Sequence, residues 1–178
     1  MIKILKDMIK TRELCGVYTD ADDTSKFSVG YVLDCDETFF LLESIDQYGK
    51  ADGVLCKPIE KVFNIEIKNE YITNIRRLLE YYGRQKYREI ECGCGMTRSL
   101  LLFALKEKKV CAIELYESGN KNIIGFIKDA GDKIARVFLV TEAGKPDGEA
   151  FIEINRISHI SCDSSDERKI ELLSKLND

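Results

Sequence analysis

The chain has 178 residues, of which 44% are hydrophobic and 33% charged, and its net charge is −4 at neutral pH. This balance excludes an intrinsically disordered chain and argues against a surface wholly given over to nucleic acid. No apolar run approaches the roughly 18 residues of a membrane-spanning helix, and the seven cysteines, at 15, 35, 56, 92, 94, 111 and 162, follow no recurring spacing.

From the start, residues 1–12 set apolar against charged side chains on a helical period, which predicts an amphipathic helix and not a secretory leader. A cytoplasmic protein with reduced thiols is the corresponding expectation. Further along, the chain repeats itself. Gly30-Tyr31-Val32-Leu33-Asp34 returns 95 residues on as Gly125-Phe126-Ile127-Lys128-Asp129, and Gly49-Lys50-Ala51-Asp52-Gly53 returns as Gly144-Lys145-Pro146-Asp147-Gly148. Ile59, Ile65, Ile75 and Leu78 fall on Ile154, Ile160, Ile170 and Leu173 at the same displacement. One displacement that preserves glycines and aliphatics marks an internal duplication.

Each copy predicts a helix, five short strands and a closing helix. In the first copy, Phe39 to Ser44 reads as the third strand and matches Val137 to Glu142 better at a displacement of 98 than of 95. The glycine-lysine pentapeptide reads as a hairpin with Asp-Gly at its positive-φ corner. The spacing of Ile59, Val62 and Ile65 changes from two to three, which predicts a sharp bend or a one-turn 3₁₀ segment between the last two strands. Asn69 is placed to cap a helix whose apolar face is Ile72, Ile75, Leu78, Leu79 and Tyr82.

Residues 83–96, with three glycines and no clear period, read as a linker between repeats at 1–82 and 97–178. In the second copy a helix is predicted over 99–108 and strands over 110–117, 122–129, 134–141, 148–155 and 157–162. Ser164 has capping-box spacing to Glu167, and Ile170, Leu173 and Leu176 share a face of the last helix.

A leading helix, five short bent strands, a glycine in the second strand and a compact turn between the third and fourth resemble the Sm-like small β-barrel. The wider SH3-type barrels look similar. The resemblance covers residues 1–68 and 97–162 and implies a mainly β fold with flanking helices (α+β), built as two tandem five-stranded barrels. The RNA-contacting motifs of Sm proteins are not matched: Asp34 and Asp129 follow their glycines by four residues, and Lys61-Val62 and Arg156-Ile157 stand where that family has Arg-Gly.

Four features carry candidate chemistry. The Gly-Lys-x-Asp-Gly pentapeptide resembles a phosphate loop in composition, but both copies lead into strands, where a phosphate loop opens a helix. Cys92 and Cys94 form a pair without the further ligands that a structural zinc site needs, so no metal or other cofactor is expected. His159 has no nucleophile or carboxylate near it in sequence, and Asn64 stands at the matching place, so it reads as a polar outward strand position.

The basic aromatic strip Arg76, Arg77, Arg84, Lys86, Tyr87 and Arg88, with Tyr81 nearby, offers cations for phosphates and rings for stacking. The expectation drawn is a non-enzymatic intracellular binding or interaction module. Its partner would be a protein or a second copy met through the strand edges, making a homo-oligomer; the alternative is RNA or single-stranded DNA bound along residues 76–88.

Overall fold

The structure, a computed structural model, describes residues 1–83, 89–117 and 122–177. It divides into two compact units, Met1–Glu89 and Ile90–Asp178.

In the first unit, α1 (Ile2–Thr11) buries Leu5 completely, with Ile2, Met8 and Ile9 beside it on the same helical face. There follow β1 (Cys15–Tyr18), β2 (Ser28–Cys35), β3 (Phe39–Ile45), β4 (Ala51–Pro58) and β5 (Asn64–Ile67), then α2 (Glu70–Tyr82). The strands pair antiparallel in the order β5-β1-β2-β3-β4. Strand alternation splits the apolar residues between two faces. Val17, Val32, Phe40 and Leu42 pack with Leu5 of α1, whereas Val29 and Ile45 pack with Ile72 and Ile75 of α2.

The second unit repeats this plan. After α3 (Met96–Glu107) come β6 (Val110–Leu115), β7 (Ile123–Ala130), β8 (Ile134–Val140), β9 (Pro146–Glu153) and β10 (Ile157–Cys162), closed by α4 (Ser165–Asn177). Their antiparallel order is β10-β6-β7-β8-β9. Helix α3 starts one turn earlier than the pattern predicts, because Met96 and Thr97 are themselves buried. The fold is thus mainly antiparallel β with flanking helices, and each unit's ladder runs open from its first to its last strand.

Local predictions that rest on short-range chemistry agree with the structure. One-turn 3₁₀ segments lie at Ile59–Lys61 and Ile154–Arg156. The Asn69 Oδ1 accepts the Ile72 N–H at 2.8 Å. The Glu167 carboxylate accepts the Ser164 N–H at 2.7 Å, the reciprocal arm of the capping box.

The structure refines the sequence reading at four points. First, the third strands keep the displacement of 95: Phe40 pairs with Lys57 and Ala135 with Ile152, so the match at 98 was a coincidence of composition. Second, Cys15 and Cys111 are equivalent, since they stand opposite Gly30 and Gly125; the first strands are displaced by 96, and the loop to the second strand absorbs one residue.

Third, the first glycine of the pentapeptide, not its Asp-Gly, turns the chain. Gly49 (φ +74°) donates its N–H to the Asp46 carbonyl at 3.0 Å, and Gly144 (φ +73°) donates to the Thr141 carbonyl at 2.8 Å. Gly53 and Gly148, also at positive φ, sit at the register slips of β4 and β9, which are β-bulges. The turn glycines are also where the closing helices dock: a Cβ on Gly49 would lie 2.5 Å from the Leu78 Cβ, and one on Gly144 2.3 Å from the Ser174 nitrogen.

Fourth, the apolar faces of the closing helices are shorter than predicted. Tyr82 and Leu176 are 56% and 73% exposed, because each helix runs on past its docking point on the turn.

Candidate functional site

The basic strip is only partly described. Arg84, Lys86, Tyr87 and Arg88 lie outside the described residues. Arg76 forms an ion pair with Glu13, which Lys68 also approaches at 3.7 Å, so its charge is met inside the first unit. Arg77 is exposed and donates at 3.4 Å to its helix neighbour Asn74. Tyr81 is 83% exposed and meets Tyr82 edge to face at 5.3 Å, and the Lys50 ammonium lies 5.7 Å from the Tyr82 ring centre.

The other sequence candidates separate cleanly. Cys92 donates its thiol to the Ile90 carbonyl at 3.3 Å, and the Cys94 sulfur lies 3.6 Å from the Ser99 hydroxyl. Among the described residues no three His, Cys, Asp or Glu side chains are grouped so as to hold a metal ion. His159 is not an outward position: its side chain is only 25% exposed, its Nδ1 lies 3.5 Å from Glu114, and its Nε2 is buried with no hydrogen-bond partner among the described residues. The carboxylate that sequence did not offer therefore comes from the neighbouring strand, since His159 pairs with Glu114 in register.

The remaining thiols are structural. Burial, with the nearby Glu13 charge, pushes Cys15 up to about 12 from its ordinary 9.0. The thiol hydrogen bond with Cys162, then burial, holds Cys111 well above that value, and burial raises Cys35. A raised thiol keeps its proton in the folded state while the unfolded chain releases it, so this stabilisation is whole below pH 9 and drains away as pH rises toward 12. With iodoacetamide at pH 8, Cys92 and Cys94 are expected to react in the native protein and the five buried thiols only on unfolding. Mass-spectrometric peptide mapping reads the outcome, and native labelling of Cys15 or Cys111 would contradict it.

A cleft of about 530 Å³ in the first unit gathers residues that no sequence motif connects. The loop after β1 contributes Thr19, Asp20, Ser25, Lys26 and Phe27, the start of β2 contributes Ser28 and Val29, and Ser44, Ile45 and Gln47 come from the end of β3 and its turn. Lys57 reaches in from β4 and Tyr71 from the first turn of α2. The Lys57 ammonium donates to the Ser28 hydroxyl at 2.9 Å and to the Thr19 hydroxyl at 3.2 Å. Phe27 stacks on Tyr18 with ring centres 4.8 Å apart and meets Tyr71 edge to face at 5.4 Å, leaving Tyr71 44% exposed. Burial, then hydrogen bonding to Glu66, raises the Tyr18 phenol.

The second unit has the same cleft with different chemistry. Its cavity, about 280 Å³, is lined by Asn122, Ile124, Glu142 and Asp166, the counterparts of Phe27, Val29, Gln47 and Tyr71 at the displacement of 95, and by Glu167 and Lys169 of α4 among others. The apolar floor keeps its character, Val29 to Ile124 and Ile45 to Val140. The lining does not: Phe27 becomes Asn122, Ser28 becomes Ile123, and Tyr71 becomes Asp166. Most informative is Lys57, whose register counterpart Ile152 is a buried core residue. Comparison of the chain with protein-family models, with curated proteins and with solved structures gave no match.

Proposed function

We propose that this protein is a non-enzymatic intracellular binding module built from two duplicated units of Sm-like or SH3-like barrel type, with its ligand site in the cleft of the first unit. The strand order β5-β1-β2-β3-β4 and the 3₁₀ turn between the fourth and fifth strands support the barrel assignment. One observation carries the functional reading: Lys57 stands, half-buried, where the same fold elsewhere in the chain buries an isoleucine. Desolvating part of an ammonium group at a position suited to an aliphatic costs stability, and such local inconsistency is characteristic of binding sites.

Self-association through a strand edge is the partner mode this reading includes. Strand β9 is exposed along most of its length, with Phe151 70% exposed and Ile134 diagonally across the ladder on the same face. Exposed edges of this kind accept a further strand. The alternative, single-stranded nucleic acid along residues 76–88, draws support from the exposure of Tyr81 and Arg77.

A small set of aromatic anions screened by amide chemical shifts tests the site. Shifts are expected at residues 19–29, 44–47, 57 and 71 and not at 122–124, 142 and 166. Hits confined to the second unit, or scattered over both, would refute the assignment to the first.

A further inference from the structure

The cleft of the first unit has the parts of a nucleotide site, and we propose that its ligand is a nucleoside phosphate, with the phosphate on Lys57 and the base against Tyr71. The inference rests on the reading of this cleft as the ligand site and adds the ligand's chemical class.

Three features converge. The Lys57 ammonium is held toward the cleft by two hydroxyls, Ser28 at 2.9 Å and Thr19 at 3.2 Å, which orient it. Lysine among hydroxyl donors is a point-charge phosphate binder, since each neighbouring hydroxyl can donate to a phosphate oxygen in turn. Beside it, Phe27 is fixed between Tyr18 and Tyr71, so Tyr71 presents its ring on a braced aromatic cluster instead of a mobile side chain. A half-exposed ring of this kind offers a stacking surface to a base, an interaction worth about 1–3 kcal/mol per base. The volume, about 530 Å³, falls within the range of pockets that hold ligands of nucleotide size.

Polar edges complete the site. Gln47 carries both a donor and an acceptor, the requirement for pairing with the hydrogen-bonding edge of a base. The equivalent cleft of the second unit differs at each of these positions: Asp166 and Glu142 stand for the ring and the neutral amide, and the register counterpart of Lys57 is the buried Ile152, while Lys169 brings a cation from α4. Glu142, Asp166 and Glu167 outnumber Lys169 there and no ring is among the lining residues, so the second cleft is expected to bind the same ligand more weakly.

The chemistry is shared by a free nucleotide and by one unit of a single-stranded chain, and the experiment separates them. The full-length protein is titrated with adenosine and uridine monophosphates, with the two nucleosides, with inorganic phosphate and with a short single-stranded oligonucleotide, followed by amide shifts and calorimetry. Saturable binding of at least one monophosphate at the first cleft is expected, at least tenfold tighter than its nucleoside or phosphate alone. Lys57→Ile and Tyr71→Ser should each weaken it at least tenfold, and Lys57→Ile should do so without lowering the melting temperature, which separates loss of the site from loss of the fold.

An oligonucleotide that binds much more tightly than the monophosphate, with the same dependence on Lys57 and Tyr71, makes the source a polymer. Oligonucleotide binding unaffected by both substitutions would overturn the proposal and move the contact to residues 76–88. Binding of phenyl phosphate but of no nucleotide at this cleft would overturn the nucleotide assignment while leaving the cleft as the ligand site. Silence of the cleft toward every probe would overturn both.

Discussion

Gly30→Ala is expected to destabilise the protein by about 3 kcal/mol or more, because the new methyl group has nowhere to go. A Cβ at this position would lie 2.1 Å from the Glu43 carbonyl oxygen and 3.0 Å from the Leu42 Cγ. The obstructing oxygen belongs to the paired strand, so relief requires β2 and β3 to separate at a register where Gly30 faces Ser44. Gly125→Ala should behave alike, since its Cβ would lie 2.1 Å from the Phe138 carbonyl oxygen. Gly148→Ala is the contrasting case: nothing lies within 4 Å, and only its φ of +89° opposes a side chain, a cost of about 1 kcal/mol. Urea unfolding followed by circular dichroism measures all three. A Gly30→Ala protein within 1 kcal/mol of the parent would show that β2 does not approach β3 this closely.

Phe40→Ala should cost a further large amount, about 3–5 kcal/mol. Phe40 is fully buried and touches the cluster that joins α1 to the sheet, including Leu5, Val32 and Leu42. Its removal leaves a void that the neighbouring strand cannot close, because the backbone pairing of Phe40 with Lys57 and Cys35 holds the walls apart. The second unit solves the same position with Ala135, also fully buried, so the two cores are filled by different side chains on one backbone plan. Replacement of Ala135 by Phe is therefore not a neutral exchange but an overpacking, with a cost of about 1–3 kcal/mol. Chemical denaturation of the two variants checks the pair. A Phe40→Ala protein as stable as the parent would show that the first core is not assembled around this ring.

The barrel-type reading and the pH behaviour of the buried thiols bear on handling the protein. Stability should be highest below pH 9, before the unfolded thiols begin to ionise. Binding experiments at neutral pH are unaffected by this linkage. No helix among the described residues is long and apolar enough to cross a membrane.

How much of this was legible beforehand depends on the range of the interactions involved. The 3₁₀ turns and the two helix caps were readable because each depends on residues within a few positions of one another, Asn69 with Ile72 or Ser164 with Glu167, and the duplication because it recurs at one constant displacement. The third-strand match at 98 misled because strand composition is alike in any frame, and only the pairing of Phe40 with Lys57 and Ala135 with Ile152 sets the register. The role of the pentapeptide was half legible. Its glycines announce special backbone positions, but which one turns the chain and which one sits in a bulge follows from the helix that packs on Gly49 and Gly144.

The site itself belongs to the tertiary structure. Lys57, Thr19 and Ser28 are brought together from three strands or loops, and Tyr71 arrives from a helix, so no window of sequence contains them. The basic strip, by contrast, was conspicuous in sequence because its charges are contiguous, yet Arg76 is engaged by Glu13 from 63 residues away. Sequence by itself determined the repeat, the element types and the capping chemistry, all governed by local geometry and periodicity. The tertiary structure alone decided which charges are neutralised, which half-buried lysine faces a cleft, and which of two equivalent clefts carries rings, because each of those depends on desolvation and on contacts between distant segments.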